Sequence, residues 1–167
     1  MHELAITVIG PDRTGIVADV AEALAGVGAN LTDSTMTRLR GHFTMTLICT
    51  GPSAQQATQA LAPLTGVVTE VRTVEPEGDK ANGGEPFLVS VHGADRLGIV
   101  AAVTRVVAGS GGNITDLSTR LAGTLYVLLA EVDLPLGSSD ELAERLAVAA
   151  AELGVEVTLR RAESEIL

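Results

Sequence analysis

The sequence predicts an α+β protein: two tandem β-α-β-β-α-β modules of the ferredoxin-like type, each an antiparallel sheet with two helices. Three observations predict it. Gly10 to Asp33 (GPDRTGIVADVAEALAGVGANLTD) and Gly93 to Asp116 (GADRLGIVAAVTRVVAGSGGNITD) agree at 14 of 24 positions at a constant offset of 83, which marks a duplication. Hydrophobic periodicity switches between strand-like and helix-like in the same order in both halves. Residues 75–86 (EPEGDKANGGEP) are polar, rich in Gly and Pro and without periodicity, so residues 76–85 read as a linker between modules 1–75 and 86–167.

Each element has its own signal. Leu4, Ile6 and Val8 alternate with small or polar residues, in phase with Phe87, Val89 and Val91, which makes a half-buried first strand. Ile16, Val20, Leu24 and Val27, and then Ile99, Val103 and Val107, recur at helical spacing and stop at the Gly26/Gly28 and Gly109/Gly111 signals, giving a helix of about three turns. NLTDSTMTRLRGHFTMTLICT and NITDLSTRLAGTLYVLLAEV, divided at Gly41 and Gly123, each read as a hairpin. The second copy is one residue shorter between Asp and Gly, so Arg38 matches Arg120 and a bulge is expected in one copy. The second helices begin at Ser53 and Ser138, both able to cap. VVTEVRTV from Val67 and VEVTLRR from Val155 supply the last strands. The order is that of a split βαβ fold.

Composition narrows the function. With 21 acidic against 11 basic residues, a net charge of −10 and a single lysine, Lys80, in the linker, the chain lacks the clustered cations that hold a phosphate backbone. Direct nucleic-acid or membrane binding is not expected. RNA-recognition modules share the topology but stack bases on sheet aromatics, and Phe43, Phe87 and Tyr126 are the only aromatics here. No apolar run is long enough to span a bilayer, and MHELAITVIG lacks the basic start of a signal peptide; a cytoplasmic location is expected. Cys49, alone and in an apolar strand, reads as a buried inert thiol. His2, His42 and His92 form no spaced ligand set, so neither a metal nor a cofactor is expected. The glycines of GVGAN and GSGGN follow a helix, whereas a dinucleotide fingerprint precedes one.

The shared polar positions are Asp12/Asp95, Arg13/Arg96, Gly15/Gly98, Gly28/Gly111, Asn30/Asn113, Thr32/Thr115 and Asp33/Asp116. A core alone asks for none of them. GPDRTGIVA followed by GANLTD, and GADRLGIVA followed by GGNITD, resemble the ACT domain. Two such units in tandem resemble the ACT regulators of the glycine cleavage system transcriptional repressor type. The resemblance implies a non-catalytic regulatory module that binds a small metabolite, commonly an amino acid, between paired units and acts on a partner protein. PDR-G-IVA also resembles the regulatory ACT unit of formyltetrahydrofolate deformylase, but a second ACT unit stands where that enzyme's catalytic domain would follow. No catalytic constellation is readable, so no enzyme is expected.

An amino acid needs donors for its carboxylate and acceptors for its ammonium. The amides of Thr14, Gly15, Ile16 and Val17, and of Leu97, Gly98, Ile99 and Val100, fall at a helix N-terminus, where unpaired N–H groups and the dipole favour an anion. Gly15 and Gly98 let a ligand approach. Asp12/Asp95 and Asn30/Asn113 are the candidate acceptors, a role the resemblance implies, with Arg13/Arg96 beside them. Each has a plainer reading: helix capping for the aspartates, a turn for the asparagines, an ion pair with a neighbouring acid for the arginines, and cross-strand pairing for Thr32/Thr115 and Asp33/Asp116. The alternative function is a ligand-free assembly module. Exposed sheet faces, with Ala5, Thr7 and Ile9 or Leu88, Ser90 and His92, together with bare sheet edges, point to pseudo-symmetric packing and a homodimer.

Overall fold

The computed structural model describes residues 2–78 and 83–163. The chain divides into two compact units, Met1–Asp79 and Lys80–Leu167. Unit 1 runs β1 (Glu3–Pro11), α1 (Ile16–Ala25), β2 (Asn30–Leu39), β3 (His42–Thr50), α2 (Ala54–Leu61) and β4 (Val68–Val74). Unit 2 repeats it: β5 (Gly84–Ala94), α3 (Ile99–Gly109), β6 (Asn113–Ala122), β7 (Leu125–Pro135), α4 (Ser139–Leu153) and β8 (Val155–Arg161). The sheets have the orders β2-β3-β1-β4 and β6-β7-β5-β8, with every neighbour antiparallel. This is the ferredoxin-like arrangement, twice. β5 reaches back to Gly84, with Glu85 opposite Leu134, inside the stretch read as linker; residues 79–82 of that stretch lie outside the described residues.

Alternation buries one face of each first strand. Leu4, Ile6 and Val8 meet Ile16, Val20 and Leu24 of α1, Ala57 and Leu61 of α2, and Phe43, Met45, Leu47 and Cys49 of β3. Phe87, Val89 and Val91 pack likewise against Ile99, Val103 and Val107 of α3 and Leu142, Leu146 and Ala150 of α4. Each fully buried aliphatic side chain contributes about 1.5–3 kcal/mol by leaving water. The helices lie over the central strands, so the edge strand keeps uncovered apolar groups on its helix side: Met36 on β2, and Leu117 and Leu121 on β6, are 46%, 41% and 45% exposed.

The hairpins differ from the expectation. A register shift occurs in both copies at the same place, between Leu31 and Asp33 and between Ile114 and Asp116. Thr32 and Thr115 are the extra residues, and their hydroxyls donate to Ile48 O and Glu131 O, each at 3.4 Å. No residue is missing from the second copy. Leu39 pairs with His42 and Ala122 with Leu125, so the offset of 83 persists and each turn holds two residues. Only the glycine has moved. Arg40-Gly41 has both φ positive, 49° and 82°, whereas in Gly123-Thr124 only the first is, at 62°; these are the I′ and II′ hairpin patterns. Arg38 therefore corresponds to Leu121, and Arg120 to Thr37. Arg38 lies opposite the buried Phe43 while Arg120 lies opposite Val127, so the two arginines face opposite sides of their sheets.

Capping differs too. Ser53 forms a full capping box with Gln56. Ser138 does not cap: its hydroxyl donates back to Pro135 O at 2.6 Å, and Asp140 and Glu141 supply negative charge to the first turn of α4 instead. Asp12 and Asp95 are not caps either. The cap positions are Gly15 and Gly98, in left-handed conformation at φ 85° and 91°, with no side-chain cap bond.

Candidate functional site

The β1-to-α1 and β5-to-α3 loops set the site. Their left-handed glycines turn the chain straight into the helix, and the first helical bonds are Asp19 N–H to Gly15 O and Ala102 N–H to Gly98 O, both 2.9 Å. Of the amides ahead of them, Ile16 reaches Arg13 O at 3.4 Å, while those of Thr14, Gly15, Val17, Leu97, Gly98, Ile99 and Val100 have no backbone partner among the described residues. A Cβ built on Gly15 or Gly98 would meet nothing within 4 Å. The glycines are thus required by conformation, and the space over them is open.

The charged groups of the two loops are held differently. In unit 1 Asp12 Oδ2 lies 3.4 Å from Arg38 Nε, and the Asp12 amide donates to Gly41 O at 2.8 Å. Arg13 grips Asp19 at 2.6 Å. In unit 2 the positions of Arg38 and Asp19 hold Leu121 and Ala102. Asp95 consequently has no ion pair among the described residues. The Arg96 guanidinium lies over Gly154, 3.5 Å from where a Cβ there would sit; Gly154 ends α4, where a cation is favoured by the helix dipole.

Two open grooves flank the unit 2 loop. One, of about 520 Å³, is lined by Asp95, Arg96, Leu97, Gly98, Ile99, Val100 and Ala101 together with Tyr126, so six of the predicted residues share one concavity. The other, of about 900 Å³, runs along the outer side of α3 from Gly98 through Ala101, Ala102 and Arg105 to Asn113 and Ile114. Both volumes fall in the range of small-molecule sites.

Asn30 and Asn113 are not beside the aspartates. Asn30 pairs with Thr50, whereas Pro11, next to Asp12, pairs with His42, eight residues away along β3. At roughly 3.4 Å per residue this is about 25 Å, the length of the sheet. Within one unit the asparagine and the aspartate cannot touch one ligand.

Sequence reasoning missed Tyr126 and the outer face of α3. Tyr126 lies opposite Gly93, which the in-phase hairpin pattern could have located. The α3 residues carried a signal of their own: Ala101, Arg105 and Ala108 share a helical stripe that the core does not use. Thr32, Thr115, Asp33 and Asp116 sit on the edge strands, apart from the loop grooves. His2 and His92 lie beside Glu75 and Glu156 at 3.6 Å and 2.7 Å, and no group of three metal-ligating side chains occurs among the described residues. Cys49 is fully buried, and burial pushes its thiol pKa up. Among the described residues no helix is long and apolar enough to cross a membrane.

The ACT domain model matches residues 2–70 and 85–160. The chain belongs to the ACT domain family. The two matches make it a tandem pair of ACT domains, of the regulatory type. A UPF0237 protein of Methanocaldococcus jannaschii is 37% identical over 75 residues, 44% of this chain and 83% of that protein. One of Methanopyrus kandleri is 40% identical over 75 residues, with the same coverage, 44% and 83%. Among solved structures, an unknown protein from Galdieria sulphuraria superimposes with a TM-score of 0.85 at 29% identity, covering 98% of this chain and all of that one. A protein provisionally assigned as a glycine cleavage system transcriptional repressor shares the tandem fold, with a TM-score of 0.72 at 23% identity over 98% of both chains.

Proposed function

We propose that this tandem ACT protein is a non-catalytic sensor that binds a free amino acid at the β5-to-α3 loop of unit 2 and passes the bound state to a partner protein. The reading rests on one observation: Asp95 is an unpaired carboxylate lining the groove that also holds the open amides at the start of α3. A carboxylate at the helix N-terminus and an ammonium at Asp95 would satisfy both ends of the ligand. Asn30 or Asn113 would reach it only from another unit, so the complete site belongs between units of a homodimer. Its place is in amino-acid metabolism or the transcription that controls it, through protein contacts, since the acidic chain is unsuited to DNA. We propose a cytoplasmic location on the same sequence grounds.

The second reading, a ligand-free assembly module, is favoured by unit 1, where Asp12 and Arg13 are already spent on Arg38 and Asp19. A thermal-shift screen of the twenty amino acids separates the two, because a ligand of the native state raises the melting temperature by mass action. A binder whose effect disappears in Asp95→Ala supports the sensor. No shift with any amino acid leaves the assembly module.

A further inference from the structure

Most of the groove beside the β5-to-α3 loop is an uncharged wall. Its lining carries two charges, Asp95 and Arg96, and the Arg96 guanidinium lies over Gly154 at the end of α4. The remaining side chains include Leu97, Val100 and Ala101 on the loop and the first turn of α3, and Tyr126 on β7. Leu97 is the informative one. It stands directly before the left-handed Gly98, a place from which an apolar side chain commonly packs back onto the fourth residue of the helix. That residue is Ala102, yet Leu97 is fully exposed, so it does not serve that contact. A leucine left wholly in water on the wall of a concave site is apolar surface without a partner. Unit 1 differs at both positions: Thr14 stands in place of Leu97, and Phe43 in place of Tyr126. The rungs correspond, with Phe43 opposite Gly10 and Tyr126 opposite Gly93. Phe43 is completely buried in the core of unit 1, whereas Tyr126 packs against the core of unit 2 from a half-buried position and also lines the groove.

We infer that the amino acid taken by unit 2 carries a large apolar side chain, aliphatic or aromatic, and that Leu97 and Tyr126 set this preference. This rests on the reading above, in which the loop groove of unit 2 holds an amino acid by its ammonium and carboxylate. Those two ends occupy Asp95 and the loop amides, so the ligand's side chain is the part that meets the wall. An acidic side chain would bring a second carboxylate close to Asp95. A basic one finds no other carboxylate along the groove, and its charge would be desolvated without a partner. A small one leaves the wall of a groove of about 520 Å³ unfilled and forfeits the dispersion contacts there. A large apolar side chain instead takes itself, Leu97 and the open part of Tyr126 out of water together.

Isothermal titration of the full chain with leucine, phenylalanine, alanine, serine, glutamate and lysine tests this. Leucine or phenylalanine is expected to bind at least about tenfold more tightly than alanine, because each added methylene buried in an apolar pocket contributes to affinity. Leu97→Thr copies the unit 1 residue at a fully exposed position and is expected to lower that ratio several-fold. Tyr126→Ala should lower it further, with circular dichroism to check the fold; should that variant fail to fold, Leu97→Thr decides alone. A residue that merely supported the loop would weaken every amino acid alike and leave the ratio where it was. An Asp95-dependent binder that is small, acidic or basic, or a Leu97→Thr chain that keeps the wild-type ratio, overturns the preference while the loop site stands. If none of the twenty amino acids binds, the preference falls together with the sensor reading.

Discussion

The two units share a backbone and most of a loop motif, yet the same residues are tied down in one and free in the other. Asp12 and Arg13 each have a partner, Arg38 at 3.4 Å and Asp19 at 2.6 Å. Asp95 has none, and Arg96 has moved over the end of α4. The cause lies outside the motif. Leucine replaces arginine at the position that pairs with Asp12 in unit 1, and alanine replaces aspartate one turn into α3. A motif therefore names the chemistry a loop can offer, while its neighbours decide whether the chemistry is available.

The sharpest way to break that contrast is at the glycines. Gly98→Val puts a branched side chain at φ 91° over the open amides. It is expected to abolish calorimetric binding of the amino acid found in the screen, with strain of about 1–3 kcal/mol in unit 2. Gly15→Val should cost unit 1 similar strain and leave the affinity unchanged. Equal loss of binding in both would mean that the units are equivalent after all.

Next in size are the carboxylates. Asp95→Ala should weaken binding by about 1–3 kcal/mol, the cost of leaving an ammonium without its acceptor, and Asp12→Ala should not. Leu121→Arg copies the unit 1 arrangement into unit 2 and is expected to weaken binding several-fold by occupying Asp95. An unchanged titration for Leu121→Arg would remove the pairing explanation while leaving the loop site standing.

Cys49 offers a contrast in pH dependence, since its counterpart in unit 2 is the buried Val132. Burial raises the native thiol pKa, so above the ordinary thiol value the unfolded chain releases this proton and the native chain keeps it. The unfolded state then binds fewer protons, and stability falls as pH rises, by at most about 1.4 kcal/mol per unit. Cys49→Val should flatten that alkaline slope in chemical denaturation without greatly changing stability near neutrality. The smallest effect is expected at the turns. Arg40 holds φ 49° without being glycine, and Arg40→Asn should stabilise unit 1 by about 0.5 kcal/mol, because asparagine tolerates the left-handed region of an I′ turn; Thr124→Asn, where φ is not positive, should not.

Much of the architecture was legible because it is periodic. Alternation placed Leu4, Ile6 and Val8 inward, helical spacing placed Ile16, Val20 and Leu24, and duplication repeated the test. What was misread depended on single residues that periodicity does not weigh. A glycine moving one place within a turn looks the same in sequence as a deletion, and only the ladder from Ala122 to Leu125 separates them. The aspartates were assigned a capping option because the helix start was placed by composition, whereas the left-handed Gly15 and Gly98 take that position. Chemistry alone named the candidate ligand residues. The distance from Asp12 to Asn30, set by strand length, and the grooves around Arg105 and Tyr126, set by packing, were not legible in the sequence.

The bulges at Thr32 and Thr115 also speak of history. An insertion that disturbs a ladder at the same rung in both halves, with the same threonine reaching the same neighbouring carbonyl, is most simply inherited once, before the halves were joined. The ancestor was then a single unit, the size of the UPF0237 relatives that 75 residues nearly span. Fusion left the two copies free to diverge within one chain, and Asp95, unpaired where unit 1 ties Asp12 to Arg38, is such a divergence.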